Sequence, residues 1–204
     1  MNKYDLQTGD ILLFDNTENG GFINGLSKLI KWGTHSNYTH VAMVLKDPCF
    51  IHPTLKGLYV WESSYEGKPD PQDGKIKLGV QITPLVELLE DYVNGKVILR
   101  RLEGRKEFTF SNKIMEEVHS VAYDKPYDII PSDWISALFK KDAHPQKTDR
   151  FWCSALVGYI YTKLGILNHN TDWSILTPND FSLSGQDLKF TGGYKLSNNE
   201  EQIN

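Results

Sequence analysis

The longest apolar stretch of this chain lies near its C-terminal end, in the segment DRFWCSALVGYIYTKLG at Asp149–Gly165. Its apolar residues recur in steps of three and four, which is the spacing of one face of an α-helix. A helix this apolar has to be covered by other elements, so it is expected to be buried. The stretch is broken by Gly158 and ended by Lys163. It falls well short of the roughly 18 apolar residues that a membrane span needs.

Short β-rich segments precede this helix. Apolar runs that follow turn signals, or that alternate, predict four strands: Gly9–Phe14, Thr39–Leu45, Leu58–Ser64 and Lys96–Leu102. Three more helices are predicted, at Leu26–Trp32, after Thr83, and from Ser111 to Tyr123. In the second of these, Thr83 is the expected cap, Pro84 takes the first helical position and Gly95 follows the end. Strands with inserted helices, followed by one buried helix, predict an α+β domain.

Length and composition limit the classes of function. The chain has 204 residues, 40% hydrophobic and 24% charged, which fits one domain over residues 1–190 and a polar tail at 191–204 that we expect to be frayed. The net charge is −4 and no Lys/Arg run occurs, so no nucleic-acid partner is expected. The N-terminus has no signal-peptide pattern, and two cysteines make no disulfide framework. We therefore expect a cytoplasmic protein without a transmembrane segment.

Cys153 stands in the first turn of the predicted buried helix, on its apolar face. Taken alone, this position favours an ordinary core cysteine, because free cysteines are among the most buried residues. The first turn also presents free N–H groups and a partial positive charge, which stabilise a thiolate and can hold an oxyanion. Cys153 is therefore either a core residue or a nucleophile, and the second interpretation requires a base.

Among six histidines, His40 alone opens an apolar strand, THVAMVL, from which a rigid element would aim it into a site. A satisfied core histidine explains that position equally well. Glu62, in YVWESS, is a carboxylate inside a hydrophobic strand, where an unpaired charge is costly. These residues support the hypothesis of a Cys153–His40–Glu62 triad, in which the carboxylate fixes the imidazole.

Two alternatives to a nucleophile involve Cys49. A metal site of Cys49, His35, His40 and His52 has compatible spacing, but no tight Cys-x-x-Cys or His-x-x-x-His element supports it. A disulfide between Cys49 and Cys153 is disfavoured by the lack of a secretion signal. A scaffold that has lost activity is not favoured, because all three candidate triad residues are present. We expect neither a metal nor an organic cofactor.

Six segments occur in the order TGDILLF, LSKLIKWGTHSNYTHVAMV, VWES, KPYD, FWCSALVGYIY and LTPNDF, and they extend from Thr8 to Phe181. In this order they resemble the circularly permuted papain-like cysteine hydrolases, relatives of the NlpC-type cell-wall peptidases with bacterial and viral members. The most specific part of the resemblance is a Ser/Thr-His-Val/Ala strand paired with a Phe/Tyr-x-Cys-Ser-x-Leu-Val helix.

The resemblance implies a papain-like fold with a permuted chain, in which an antiparallel sheet or barrel packs against the helix that carries the cysteine. It implies Cys153 as the nucleophile, His40 as the base and Glu62 as the residue that orients the base. The expected substrate-binding residues flank the matched segments: Tyr38, Tyr127 and Trp152. Trp152 stands where the family commonly has tyrosine. The implied reaction is hydrolysis of an amide or related acyl bond, in a small-molecule, peptide or acyl substrate, through a thioester.

Lecithin:retinol acyltransferase and its phospholipase relatives share the order of histidine strand before cysteine helix. A thiol acyltransferase or lipid hydrolase is therefore the main alternative. Those enzymes usually carry membrane anchoring or a second histidine shortly after the first. The next histidine here is His52, in CFIHPT, outside any evident strand. Peripheral contact with lipid is compatible with both interpretations, and the oligomeric state stays open.

Overall fold

A computed structural model describes residues 5–15, 38–104, 108–128 and 146–204 of the chain. The strands of these regions are β1 Ile11–Asp15, β2 His40–Lys46, β3 Leu58–Ser64, β4 Gly79–Pro84, β5 Lys96–Arg100, β6 Leu102–Glu103, β7 Lys195–Leu196 and β8 Glu201–Gln202. Six of them form one antiparallel sheet in the order β4-β3-β2-β1-β5-β8. The short strands β6 and β7 pair with each other.

The described part of the chain has three α-helices: α1 Leu85–Asp91, α2 Asn112–Ala122 and α3 Cys153–Lys163. Two short 3-10 helices follow, at Trp173–Ile175 and Pro178–Phe181. Together with the antiparallel sheet, these helices confirm the predicted α+β class. None of the helices in these regions is long and apolar enough to cross a bilayer.

The sheet carries buried apolar side chains on both of its faces. Along β1, Ile11 and Leu13 belong to the cluster that packs around α3, whereas Leu12 and Phe14 belong to the cluster that includes α1. Successive strand residues point to opposite faces, so an unbroken apolar run has to be covered on both sides. Helix α3 covers β2 and β3 on one face, and α1 packs against β3 and β4 through Leu88 and its neighbours.

The predicted strand at Leu58–Ser64 is present with the same bounds, and the predicted buried helix begins at Cys153. The predicted helix at Leu26–Trp32 lies outside the described residues. The helix expected after Thr83 begins only at Leu85, because Thr83 and Pro84 complete β4. Thr83 is therefore not a helix cap. The sequence analysis missed β4, since the Thr-Pro pair at its end imitates a helix start.

Residues 191–204 differ from the expected frayed tail. Within them β7 pairs with β6 and β8 pairs with β5. The side chains of Leu196 and Ile203 are buried, and Asn204 Nδ2 donates to the carbonyl of Tyr92 at 2.7 Å. Composition alone indicated disorder, because the two apolar residues that anchor this segment are separated by a polar run.

Candidate active site

Cys153 is the first residue of α3, and Trp152 is the N-cap of that helix. The cysteine is buried in the apolar cluster between α3 and the sheet, with 2% of its surface exposed. Hydrogen bonding from the backbone N–H groups of Val41 and Ser154 acts to lower the pKa of its thiol. These donors and the positive end of the helix dipole stabilise the anionic form of the thiol.

The sheet opens where this helix begins. The described pairing of β2 with β3 runs from Lys46 and Leu58 to Met43 and Trp61. Beyond that point β2 continues beside β1, and β3 continues beside β4. The backbone N–H of Val41 lies on the part of β2 that is not paired with β3, and it acts on the cysteine sulfur there. A local end to strand pairing thus provides both the space and a donor for the thiol.

His40 and Glu62 lie on the two strands beside this opening. Nε2 of His40 is 2.8 Å from Oε2 of Glu62. The carboxylate is completely buried, and the hydroxyl of Thr83 on β4 donates to its other oxygen at 2.6 Å. The imidazole ring also packs against Phe14, with ring centroids 5.2 Å apart. Glu62 is therefore held in place, and it holds the imidazole in turn.

The second ring nitrogen of His40 is left for the nucleophile. Because Nε2 is bonded to Glu62, Nδ1 is the atom available to the thiol, and hydrogen bonding between the two side chains acts on the pKa of both His40 and Cys153. The structure thus brings the three predicted triad residues together, in the spatial order carboxylate, imidazole, thiol. Such a chain is the arrangement that activates a cysteine for attack on a carbonyl group.

The electrostatics of the pair favour a thiolate and an imidazolium. Burial acts to lower the pKa of His40, but its hydrogen bonds to Cys153 and Glu62 and their charges raise the pKa to about 10. Burial acts to raise the pKa of the Cys153 thiol, but the hydrogen bond and charge of His40, with the two backbone donors, bring the pKa below its ordinary value. A proton shared between them therefore resides on His40 near neutral pH.

Two of the three predicted substrate-binding residues lie beside the thiol. Trp152 directly precedes it, and its indole Nε1 donates to the carbonyl of Leu176 at 3.2 Å. Tyr127 forms a parallel bridge with Phe151. Burial, and after it the charge of Cys153, hold the pKa of the Tyr127 phenol well above its ordinary value. Trp152 is thus the chain neighbour of the nucleophile, and the Tyr127 phenol lies within electrostatic reach of it.

The third predicted binding residue, Tyr38, has a different contact. Its hydroxyl donates to Oε2 of Glu200 at 2.8 Å. Burial and this hydrogen bond raise the pKa of the phenol above its ordinary range. The other carboxylate oxygen of Glu200 accepts from the backbone N–H of Leu183 at 2.9 Å. The structure therefore places the Tyr38 hydroxyl against the C-terminal segment.

Two further residues of this site, Thr83 and Glu66, were not among the residues predicted from the sequence. Thr83 was assigned to a helix cap, whereas it donates to Glu62. Glu66 lies just beyond the end of β3, half-buried, within electrostatic reach of Glu62 and His40. Burial and the charge of Glu62 raise the pKa of Glu66 to about 7, against the opposing effect of His40. The available signal was its position four residues after Glu62, directly after the same strand.

The residues of the alternative metal and disulfide hypotheses make other contacts. Cys49 and Cys153 are both free thiols, and Cys49 Sγ accepts from Lys56 Nζ at 3.2 Å. His52 is exposed, and its Nδ1 is 2.7 Å from the hydroxyl of Thr54. Within the described ranges, no three His, Cys, Asp or Glu side chains are grouped as a metal site would require. His35 lies outside those ranges.

Comparison with known proteins assigns no family to this chain. No protein-family model matches it, and no curated protein matches it either.

Proposed function

We propose that this protein is a cysteine hydrolase that cleaves an amide or related acyl bond through a thioester intermediate. Cys153 is the nucleophile, His40 the base and Glu62 the orienting carboxylate. The observation that carries the proposal is the chain of contacts from a buried carboxylate, through the imidazole, to a thiol at a helix N-terminus. A cysteine that only fills the core requires neither the base nor the buried charge.

The fold that we propose for this activity is the permuted papain-like fold. An antiparallel sheet packed against the helix that carries the cysteine supports it, and so does the position of the histidine on a strand that precedes that helix in sequence. In this arrangement β2 supplies the base, β3 supplies the carboxylate, and α3, later in the chain, supplies the nucleophile.

In the first half of the reaction, the Cys153 thiolate attacks the carbonyl carbon of the substrate. A carbon–sulfur bond forms, and the carbonyl electron pair moves to the oxygen. Backbone N–H groups at the start of α3 lack intrahelical partners, so they are suited to bind this oxyanion. The His40 imidazolium then gives its proton to the leaving nitrogen or oxygen, the acyl bond breaks, and a thioester remains on Cys153.

In the second half, water replaces the leaving group. Neutral His40 takes a proton from the water as its oxygen attacks the thioester carbonyl. The carbon–sulfur bond breaks, the carboxylic acid is released, and the Cys153 thiolate beside the His40 imidazolium is restored. Glu62 keeps the ring in one orientation and stabilises its charge in both halves, because it stays bonded to Nε2.

The contacts of His52 bear on the acyltransferase and phospholipase alternative. That alternative would use a second histidine as the third residue. His52 lies in an exposed turn and is bonded to Thr54, whereas Glu62 is bonded to the base. These contacts support a carboxylate as the third residue of the triad.

Trapping of the acyl-enzyme tests the proposal. The protein is mixed with an activated acyl ester and quenched in acid, and the acyl mass is located by peptide mass spectrometry. We expect the acyl group on the peptide that carries Cys153, its absence from Cys153→Ser and His40→Ala, and its retention in the matched control Cys49→Ser. Acylation of Cys49 alone, or of neither cysteine, would refute the proposal.

Steady-state assays then separate the two classes of substrate. We expect turnover of acyl-amino-acid amides that depends on Cys153. Release of fatty acid from phospholipid vesicles, with no hydrolysis of peptide amides, would support the lipid-hydrolase alternative instead.

A further inference from the structure

The carbonyl group of Leu176 accepts hydrogen bonds from the residues on both sides of the nucleophile. Trp152 Nε1 donates to it at 3.2 Å, and Ser154 Oγ donates to it at 2.7 Å. All three residues are buried, so a displaced carbonyl would leave two buried donors unpaired. The position of Cys153, between the two donors, is therefore linked to one backbone oxygen that lies 23 residues later in the chain.

Asp180 holds the backbone directly after Leu176. Its Oδ2 accepts from the backbone N–H of Thr177 at 2.7 Å and from the Thr177 hydroxyl at 2.8 Å. The N–H of Asp180 returns a hydrogen bond to the Thr177 carbonyl at 3.1 Å. Pro178 restricts the backbone inside this closed turn. The direction of the Leu176 carbonyl is thereby set by a rigid, buried turn.

The turn is fastened to the sheet and to α3. Nη1 of Arg100, on β5, donates to the carbonyls of Phe181 and Ser182 at 2.9 and 2.8 Å. On the other side, Gly158 allows α3 to approach closely, since a Cβ there would lie 2.5 Å from Leu176 Cδ1. The turn therefore has little freedom to move relative to the helix that carries the nucleophile.

We propose that the turn Thr177–Asp180 positions the nucleophile, with Asp180, Ser154 and Trp152 as its positioning residues. This inference rests on the proposed function, because it assigns the turn a role in activating Cys153. Through the Leu176 carbonyl, the turn fixes the first turn of α3 and hence the placement of the thiol against His40. A displacement of about 1 Å between reacting groups can lower a rate about 100-fold, so this restraint acts on catalysis as well as on folding.

Alkylation of Cys153 by iodoacetamide as a function of pH tests the role, in a Cys49→Ser background. Ser154→Ala and Trp152→Phe each remove one donor and keep most of the packing. We expect each to raise the apparent thiol pKa by about one unit, which shifts the alkylation profile to higher pH and slows alkylation on its acidic limb about tenfold. The double variant is expected to be slower still. Asp180→Ala should act in the same direction, and Asp180→Asn should recover most of the rate, because its amide oxygen can accept from Thr177.

Thr162→Val is the matched control. It removes a hydroxyl of the same helix that donates to the Gly158 carbonyl at 2.8 Å, remote in sequence from Cys153. We expect it to keep the original alkylation profile, whatever its effect on thermal stability. If Ser154→Ala and Asp180→Ala lose stability but keep that profile too, the role of the turn is structural and the inference is overturned.

The Cys49→Ser protein, in which the triad is intact, tests the proposed function separately from the positioning role. An ordinary thiol pKa for Cys153 in the Cys49→Ser background would refute the proposed function, and the positioning role with it. A low thiol pKa in that background that remains unchanged in the Ser154, Trp152 and Asp180 variants would refute the positioning role alone.

Discussion

Glu62 is the residue on which the chemistry of the site depends most visibly. A carboxylate in the middle of a hydrophobic strand is costly unless it is paired, and here it is paired twice. One oxygen bonds the His40 ring at 2.8 Å, and the other accepts from Thr83 at 2.6 Å. Its negative charge is one cause of the raised pKa of His40. Substitutions of Glu62 should therefore separate two of its effects: orientation of the His40 ring and stabilisation of the positive charge on that ring.

Glu62→Gln and Glu62→Ala make that separation. Gln keeps an oxygen for Nε2–H but removes the charge, so the pKa of His40 should fall and the alkaline limb of the kcat/KM profile should move to lower pH. Ala also removes the orientation, and we expect a loss of kcat/KM of at least about 100-fold. An alkaline limb that stays in place in Glu62→Gln would show that the carboxylate charge does not support the imidazolium.

Thr83→Val tests the support behind Glu62. The substitution keeps the side-chain volume but removes a donor from a completely buried carboxylate. We expect a loss of about 1–3 kcal/mol in the free energy of unfolding, measured by urea denaturation. Thr162→Val, whose hydroxyl donates within α3, is expected to lose less. Equal losses in the two variants would contradict a special role for the Thr83 hydroxyl.

Glu66→Gln should change how stability depends on pH. The folded protein raises the pKa of Glu66 from its ordinary 4.5 to about 7, so between these values the folded state binds more protons than the unfolded state. Stability due to Glu66 is therefore present below about pH 4.5 and is lost as pH rises through 7. We expect Glu66→Gln to be more stable than the unsubstituted protein at about pH 8, by thermal denaturation, with a smaller difference at about pH 4. Glu90→Gln, at an exposed position, is the matched control, and a parallel change of stability with pH in both variants would contradict the prediction.

At the scale of elements, the loop after β3 is tied to the segment that places Tyr127. Lys77 Nζ lies 2.9 Å from Asp70 and 2.8 Å from Asp73, and the ammonium is largely buried. Asp124 lies 3.7 Å away, at the turn that leads into residues 125–127. From there the N–H of Tyr127 donates to the Leu78 carbonyl at 3.1 Å. The buried Lys77 ammonium thus helps to hold the edge of the sheet to which Tyr127 is attached.

Lys77→Met should therefore destabilise the fold. It leaves Asp70 and Asp73 without their buried cation, and breaking such a pair from one side costs about 3 kcal/mol or more. Lys75→Met is the matched control, since the Lys75 side chain is 57% exposed and the loss of its ion pairs should destabilise the fold much less than the loss of Lys77. Urea denaturation of the two variants checks the difference. Equal stabilities would show that the Lys77 pairs are as weak as surface ion pairs.

Across the whole molecule, predictions from the sequence were accurate where a feature is encoded by neighbouring residues in the chain. Glu62 stood out because its charge did not suit an apolar strand, and Cys153 because it stood in the first turn of an apolar helix; the structure brings both to His40. Thr83 gave no such signal, because its role depends on the pairing of β4 with β3, and Glu66 gave only its position shortly after β3. Local pattern likewise did not predict the strand pairing of β4 or of the C-terminal segment. Pairing of residues such as Leu99 with Glu201 is a long-range property.

A truncation tests whether the C-terminal segment contributes to the stability of the fold. Removal of residues 197–204 deletes β8 and takes away the Ser197 carbonyl that accepts from Arg100 Nε at 3.1 Å. A buried guanidinium without its acceptor is costly, so we expect Tm to fall by about 4 °C or more. A frayed tail would leave Tm unchanged, and that result would contradict the pairing described here.

The ionisation state of Cys153 is the most direct test of the central claim. Thiolate absorbance in the ultraviolet can be titrated against pH in the Cys49→Ser background, with Cys49→Ser/Cys153→Ser as the blank and Cys49→Ser/His40→Ala as a comparison. We predict that thiolate appears well below the ordinary thiol pKa of about 8.5, and that His40→Ala shifts its appearance up towards that value. A thiolate signal that appears only near pH 8.5 in the background protein, and is unchanged by His40→Ala, would contradict Cys153 as an activated nucleophile.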